Sequence, residues 1–333
     1  MPIFCGVRRP VRLCYTSGAS RREGLSMKGR DLLSIVDLTP EELRGTLEMA
    51  LRTKRDGCAP LLRGKTLALL FEKASLRTRV SFDVAMQQLG GHAVYLSQAE
   101  VGLGQRESVA DIARVLSRYV DAIAARTFAH STLEALAKYA TVPVINALSD
   151  DEHPCQAAAD LLTIYEKKGR FAGLSLAFVG DGNNVAASLA LGSAMVGMNF
   201  TIASPDGYGL PEPVLGQAER VASLTGASTR VAAAPEEAVR GADVVYTDVW
   251  TSMGQEDQRL ERLRAFAGYQ VNRRLLSLAA PDAIFMHDLP AHRGEETVDE
   301  VIDGPQSVVL DQAENRLHAQ RAILALLMGE ETG

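Results

Sequence analysis

Three residues able to hold an anion crowd one turn of the stretch FEKASLRTRVSFD (71–83): Ser75, Arg77 and Thr78, with Arg79 following. An apolar run ends at Phe71 and a helical pattern begins at Ser75. A helix start exposes unpaired N–H groups and the positive end of the helix dipole. With Ser75 as N-cap, Thr78 in the first turn and the planar fork of Arg77, such a turn can cradle a phosphate or phosphonate. The plainer alternative is a capped helix with solvated arginines. Leu76 is the odd member, because it brings no donor to a place where donors are wanted.

Four further stretches put reactive residues at the ends of apolar runs. HPCQ (153–156) offers His153 either as a hydrogen-bond donor to a reacting carbonyl or as an ordinary helix-start histidine; no second histidine or carboxylate stands at metal-ligand spacing. GDGNN (180–184) follows a strand-like run, as a dinucleotide fingerprint does. Val185 occupies the place of its third glycine, however, and no acidic ribose partner ends the next strand. DVWTSMGQE (248–256) joins an acid, a hydroxyl and a flexible glycine, a set suited to an ammonium group. HDLPAHRGEE (287–296) follows another apolar run, and ENRLHAQ (314–320) places Arg316 on the last helix.

In this order, and with Arg126 closing another strand, these motifs resemble those of the ornithine carbamoyltransferases from about Leu32 to Leu327. The SMG loop resembles the ornithine branch of that family rather than the aspartate branch. The resemblance implies transfer of the carbamoyl group of carbamoyl phosphate to the δ-amine of L-ornithine, giving L-citrulline and phosphate, within arginine biosynthesis. It implies a carbamoyl phosphate site at Ser75, Leu76, Arg77, Thr78, Gly102, Arg126, His153, Pro154, Cys155, Gln156, Asp288, Leu289 and Arg316. Arg77, Arg126, His153 and Asp288 would be catalytic, and Asn184, Asp248, Ser252 and Met253 would hold ornithine. It further implies a homotrimer with sites at subunit interfaces. No metal or organic cofactor is expected, since phosphate is already a good leaving group.

Four positions depart from the family pattern. Leu76 replaces the second residue of Ser-Thr-Arg-Thr-Arg, and Gly102 stands where a neighbouring subunit's glutamine is usual. Ala187 replaces a histidine, and Asp288 replaces the cysteine of His-Cys-Leu-Pro. Losing a hydrogen bond to a charged group costs about 1.5–3 kcal/mol, so a weakened or regulatory homologue, or a paralogue using another amine, is the alternative reading. For Asp288 the alternatives are a place beside the incoming amine or an ion pair with Arg293.

These residues need a scaffold that brings strand ends together. Strand-like and helix-like stretches alternate, which predicts parallel sheets flanked by helices. A break near 167–173 predicts two α/β domains: 27–167 for carbamoyl phosphate and 168–310 for ornithine, with 311–333 as a helix returning to the first. Thr39, Pro40 and Glu42 predict a capped helix start, and SVVLDQ (307–312) is expected as a strand. Residues 1–26 are rich in arginine and resemble either a transit peptide or a dispensable start. The chain has 333 residues, 47% hydrophobic, with 35 basic against 41 acidic side chains. That balance opposes a general nucleic-acid surface, and no apolar run reaches the ~18 residues of a membrane span. Cys5, Cys14, Cys58 and Cys155 form no CxxC pattern. A cytoplasmic protein is expected, or an organelle-matrix one if the tail is a transit peptide.

Overall fold

The structure, a computed structural model, describes residues 27–252 and 254–329. Met253 and the arginine-rich tail lie outside the described residues. The chain begins its first unit with helix α1 (Pro40–Asp56), whose N-cap Thr39 and Glu42 close a reciprocal capping box. Strand β1 (Thr66–Phe71) leads to α2 (Leu76–Gln88), β2 (His92–Ser97) to the short α3 (Gln98–Val101) and α4 (Val109–Leu116), and β3 (Ala122–Arg126) to α5 (His130–Tyr139). Strand β4 (Val144–Leu148) then feeds α6 (Pro154–Lys168). The four strands form one parallel sheet in the order β2-β1-β3-β4. Strands β1 and β3, with neighbours on both edges, are buried almost throughout, which is why they read as unbroken apolar runs.

The second unit repeats the plan. Its elements are β5 (Ser175–Val179), α7 (Asn184–Val196), β6 (Asn199–Ala203), α8 (Glu212–Thr225), β7 (Thr229–Val231), α9 (Pro235–Val239) and β8 (Val244–Tyr246). Helices α10 (Arg259–Ala265) and α11 (Arg273–Leu276), strand β9 (Ile284–Met286) and helix α12 (Asp299–Ile302) follow. The five strands are again parallel, in the order β7-β6-β5-β8-β9. The two-sheet α/β expectation is met.

Helix α13 (Val309–Met328) packs on α1, α2 and α6 of the first unit. It begins where a strand was expected. Of SVVLDQ, only Ser307 pairs, as an isolated bridge to Phe285, and the rest already turns into the helix. The β-branched pair Val308–Val309 misled the reading: both are buried, as either strand or helix would have them, and periodicity cannot separate the two in so short an apolar run. One continuous apolar cluster runs from Leu67 of β1 to Phe178 of β5 and Tyr246 of β8. The seam between the units is therefore solid, and both sheets present their strand ends to the same cleft.

Candidate active site

The cleft is a cavity of about 470 Å³. Its first-unit wall carries Lys73, Ser75, Leu76, Arg77 and Thr78 from the β1–α2 turn, Arg126 from the end of β3, and His153 before α6. Its second-unit wall carries Asn184, Asp248, Thr251, Ser252, Asp288, Leu289 and His292, and α13 adds Arg316. Lys73, Arg77 and Arg126 thus gather on the first-unit wall with Arg316, while both lining carboxylates stand on the second-unit wall, where the lining Arg259 is paired with Glu295. A ligand with an anionic end and an ammonium end is matched by that division.

Ser75 is the N-cap of α2, its hydroxyl accepting from the Thr78 amide at 3.3 Å. Thr78 is buried and accepts Arg316 Nη2 at 2.7 Å, so the last long helix reaches the first turn of α2. Arg77 and Arg79 part company: Arg77 lines the cavity, whereas the Arg79 guanidinium lies 3.8 Å over the Tyr95 ring. Residues two apart on a helix face different ways. Leu76 sits at the rim with 76% of its surface exposed, so it removes a donor without blocking the floor.

Arg126, His153 and Arg316 are all buried. Arg126 Nε, His153 Nδ1 and Arg316 Nε have no partner among the described residues, an arrangement that native interiors seldom leave unexplained. Burial, and next Arg316, hold the Arg126 guanidinium down at about 10. Burial and the neighbouring guanidiniums of Arg316 and Arg126 push His153 well below the usual imidazole range, so its ring is neutral near pH 7. The wall offers fixed donors to an oxyanion.

Opposite stands a carboxyl pair. Asp248 accepts Asn183 Nδ2 at 2.7 Å and the Val249 amide at 2.7 Å, and Asp288 lies close enough for carboxylate oxygens of the two to fall within 4.8 Å. Burial, reinforced by Asp288, lifts Asp248 well above the carboxylate range. Burial lifts Asp288 to about 6. Near neutral pH the two carboxyls therefore share a proton. His287 is no ligand beside them, because Nδ1 accepts the Leu289 amide at 2.9 Å and Nε2 faces Glu296 at 3.2 Å. The ion pair of Asp288 with Arg293 is not formed; Arg293 instead holds Asp299 and Asp303.

Several expected residues stand off the cavity. Pro154, Cys155 and Gln156 are buried behind it, and Gln156 acts at one remove by accepting Arg316 Nη1. Gly102 caps α3 in the left-handed region, with φ 64°, and does not line the cavity of this chain. Ala187 is buried inside α7. Sequence reading missed Lys73, Thr251, Arg259 and His292, all on the lining. Lys73 and His292 sat inside quoted motifs, but nothing in their spacing distinguished them from solvated side chains. Arg259, which pairs with Glu295, shows only in space. The GDG part of the GDGNN loop is structural, since Asp181 pairs with Arg262 at 2.8 Å and a Cβ on Gly182 would lie 2.3 Å from the Gly209–Leu210 backbone, whereas Asn183 holds Asp248 and Asn184 lines the cavity.

Residues 30–166 match the family model described as aspartate/ornithine carbamoyltransferase, carbamoyl-P binding domain, and residues 172–327 match the Asp/Orn binding domain of the same family. The chain is 55% identical to an ornithine carbamoyltransferase of Pyrococcus abyssi over 92% of its own length and 98% of the relative's. An anabolic ornithine carbamoyltransferase of Pyrococcus furiosus is also 55% identical, with the same coverage. Among solved structures, ornithine carbamoyltransferase from P. furiosus superposes with a TM-score of 0.88 at 55% identity, over 91% of this chain and 98% of that one. The Gloeobacter violaceus enzyme gives 0.84 at 53% identity, over 91% of this chain and 100% of the other.

Proposed function

We propose that this chain, which belongs to the aspartate/ornithine carbamoyltransferase family, transfers the carbamoyl group of carbamoyl phosphate to the δ-amine of L-ornithine, giving L-citrulline and phosphate. The observation that carries the reading is the polarity of the cavity: Arg77, Arg126 and Arg316 on one side, Asp248 and Asp288 on the other. The phosphate lies against Ser75, Arg77, Thr78 and Arg316, at the positive end of α2. Arg126 and neutral His153 donate to the carbamoyl oxygen. The neutral δ-nitrogen attacks the carbamoyl carbon, the C–N bond forms and the carbonyl electrons move onto oxygen. They then return as the C–O bond to phosphate breaks, and the proton released from nitrogen leaves with the phosphate. Each preorganised donor at such an oxyanion is worth about 3–4 kcal/mol. Asn184, Ser252 and Met253 hold the amino-acid end of ornithine, and the Asp248–Asp288 pair faces its amine.

The same reading assigns a homotrimer, a biosynthetic direction and a cytoplasmic setting. No helix among the described residues is long and apolar enough to cross a membrane. Gly102 lies off this chain's own cavity, which suits a position presented to a neighbouring copy. The test is a panel of ornithine, acetylornithine, putrescine, lysine and aspartate, each with carbamoyl phosphate, read as carbamoylated product. Ornithine should give by far the highest kcat/KM. A better rate with another amine would replace the substrate, and no product from any amine would overturn the reading. Light scattering of the purified chain tests the trimer.

A further inference from the structure

Behind the cavity, two helices face each other with polar pairs spaced one turn apart. Helix α6 contributes Gln156 and Asp160, and α13 contributes Gln312 and Arg316; all four are buried. Asp160 Oδ1 accepts Gln156 Nε2 at 2.8 Å and Gln312 Nε2 at 2.7 Å. Its Oδ2 accepts the hydroxyl of Tyr246, at the end of β8 in the second unit, at 3.1 Å. Gln156 then turns its carbonyl oxygen to Arg316 Nη1, and Arg316 Nη2 donates to Thr78 at 2.7 Å. The ladder also runs the other way: Gln312 Oε1 accepts the His287 amide at 2.9 Å, one residue before Asp288.

An amide has one donor end and one acceptor end. Because Asp160 is an acceptor, Gln156 must give it the NH₂ group, and only then does its oxygen face the Arg316 guanidinium. Reversing that amide would set NH₂ against a guanidinium, with no acceptor between them. We propose that Asp160 is a positioning residue for carbamoyl phosphate: it fixes the sense of the Gln156 amide, and through it the guanidinium of Arg316 against Thr78 and the phosphate. Asp160 is not on the wall of the cavity. The inference rests on the carbamoyl phosphate reading given above.

Asp160→Asn tests it, with carbamoyl phosphate and ornithine varied separately against citrulline formation by the full chain. An asparagine turns an NH₂ group toward either the two glutamine amides or the Tyr246 hydroxyl, and the bonds that remain lose their charge, so the ladder loses its charged anchor. The expected result is a carbamoyl phosphate KM raised about ten-fold or more, with the ornithine KM within about two-fold of wild type. The exchange variant Asp160→Asn/Gln156→Glu swaps carboxylate and amide between the two positions. Its introduced amide donates to the introduced carboxylate, which again receives Arg316. This variant should restore the carbamoyl phosphate KM to within about three-fold of wild type.

A merely structural Asp160 would lower the melting temperature and leave both KM values alone, and that result overturns the proposal. So does an equal change in both KM values, or an exchange variant no better than Asp160→Asn. If Asp160→Asn does not fold, the exchange variant decides alone: near wild-type KM supports the ladder, and a ten-fold rise refutes it. An inactive wild-type chain would instead sink the carbamoyltransferase reading itself.

Discussion

On the proposed reading, Asp288→Cys puts the family's usual residue back beside the amine, and Coulomb's law sets the scale of the effect. The Asp288 carboxyl is raised to about 6 by burial, so it is charged above that pH. The δ-nitrogen of ornithine must be neutral to attack, and a carboxylate beside it favours the ammonium form. At about 4 Å and an effective dielectric of about 20, one charge is worth about 4 kcal/mol, or roughly three pKa units. Arg126 and Arg316 stay in place in the variant, so the difference is the Asp288 charge alone. Screening by solvent in the open cleft brings it toward the lower limit of about 1 kcal/mol, for an expected shift of about one unit. The sign follows: removing the charge lowers the amine's pKa, and the ascending limb of the pH–rate profile moves to lower pH. Below the limb the variant should turn over about ten-fold faster, because the neutral fraction changes ten-fold per unit. The assay is initial-rate citrulline formation at saturating substrates from about pH 6 to about pH 10. Asp288→Asn, equally neutral and similar in size, should move the limb the same way. A limb that stays in place would show that the carboxylate is not at the amine. A loss of more than about a hundred-fold would show that Asp288 takes the proton itself.

Arg126→Met, which keeps the side chain's bulk and removes its donors, should lower kcat by about a hundred- to a thousand-fold; a loss under ten-fold would exclude Arg126 from the oxyanion. Leu76→Thr should lower the carbamoyl phosphate KM by no more than about ten-fold, since an exposed rim position gains less than a buried hydrogen bond to charge; initial rates at varied carbamoyl phosphate decide it. Gly102→Gln should destabilise its loop by about 1–2 kcal/mol, because φ is +64° and a Cβ would meet Arg106 Cβ at 2.8 Å; unchanged urea unfolding would disprove the strain. Glu152→Ala should cost about 3 kcal/mol in the same measurement, because it strips the acceptor from the Ser34 hydroxyl, the Ile35 amide and the Ser188 hydroxyl, which in turn supports the His153 amide.

What the sequence settled by itself was whatever depends on neighbours along the chain. The capping box at Thr39 and Glu42, the N-cap at Ser75 and the buried runs of β1 and β3 follow from local hydrogen bonds and from patterning. So does the placing of reactive motifs at strand ends, since a parallel sheet delivers every such loop to one edge. The two-domain order of the motifs was legible for the same reason.

What only the tertiary structure decided was which of those residues meet, and in what charge state. Arg316 reaches Thr78 across 238 residues of sequence. Gln156 is buried off the cavity lining and gives its oxygen to Arg316. Arg259 joins the lining from a helix that no motif marked. The single proton of the Asp248–Asp288 pair comes from burial beside a like charge, and a sequence records neither burial nor the distance between two loops. SVVLDQ failed as a strand because its valines satisfy either period, and only the packing of α13 onto the first unit chose the helix.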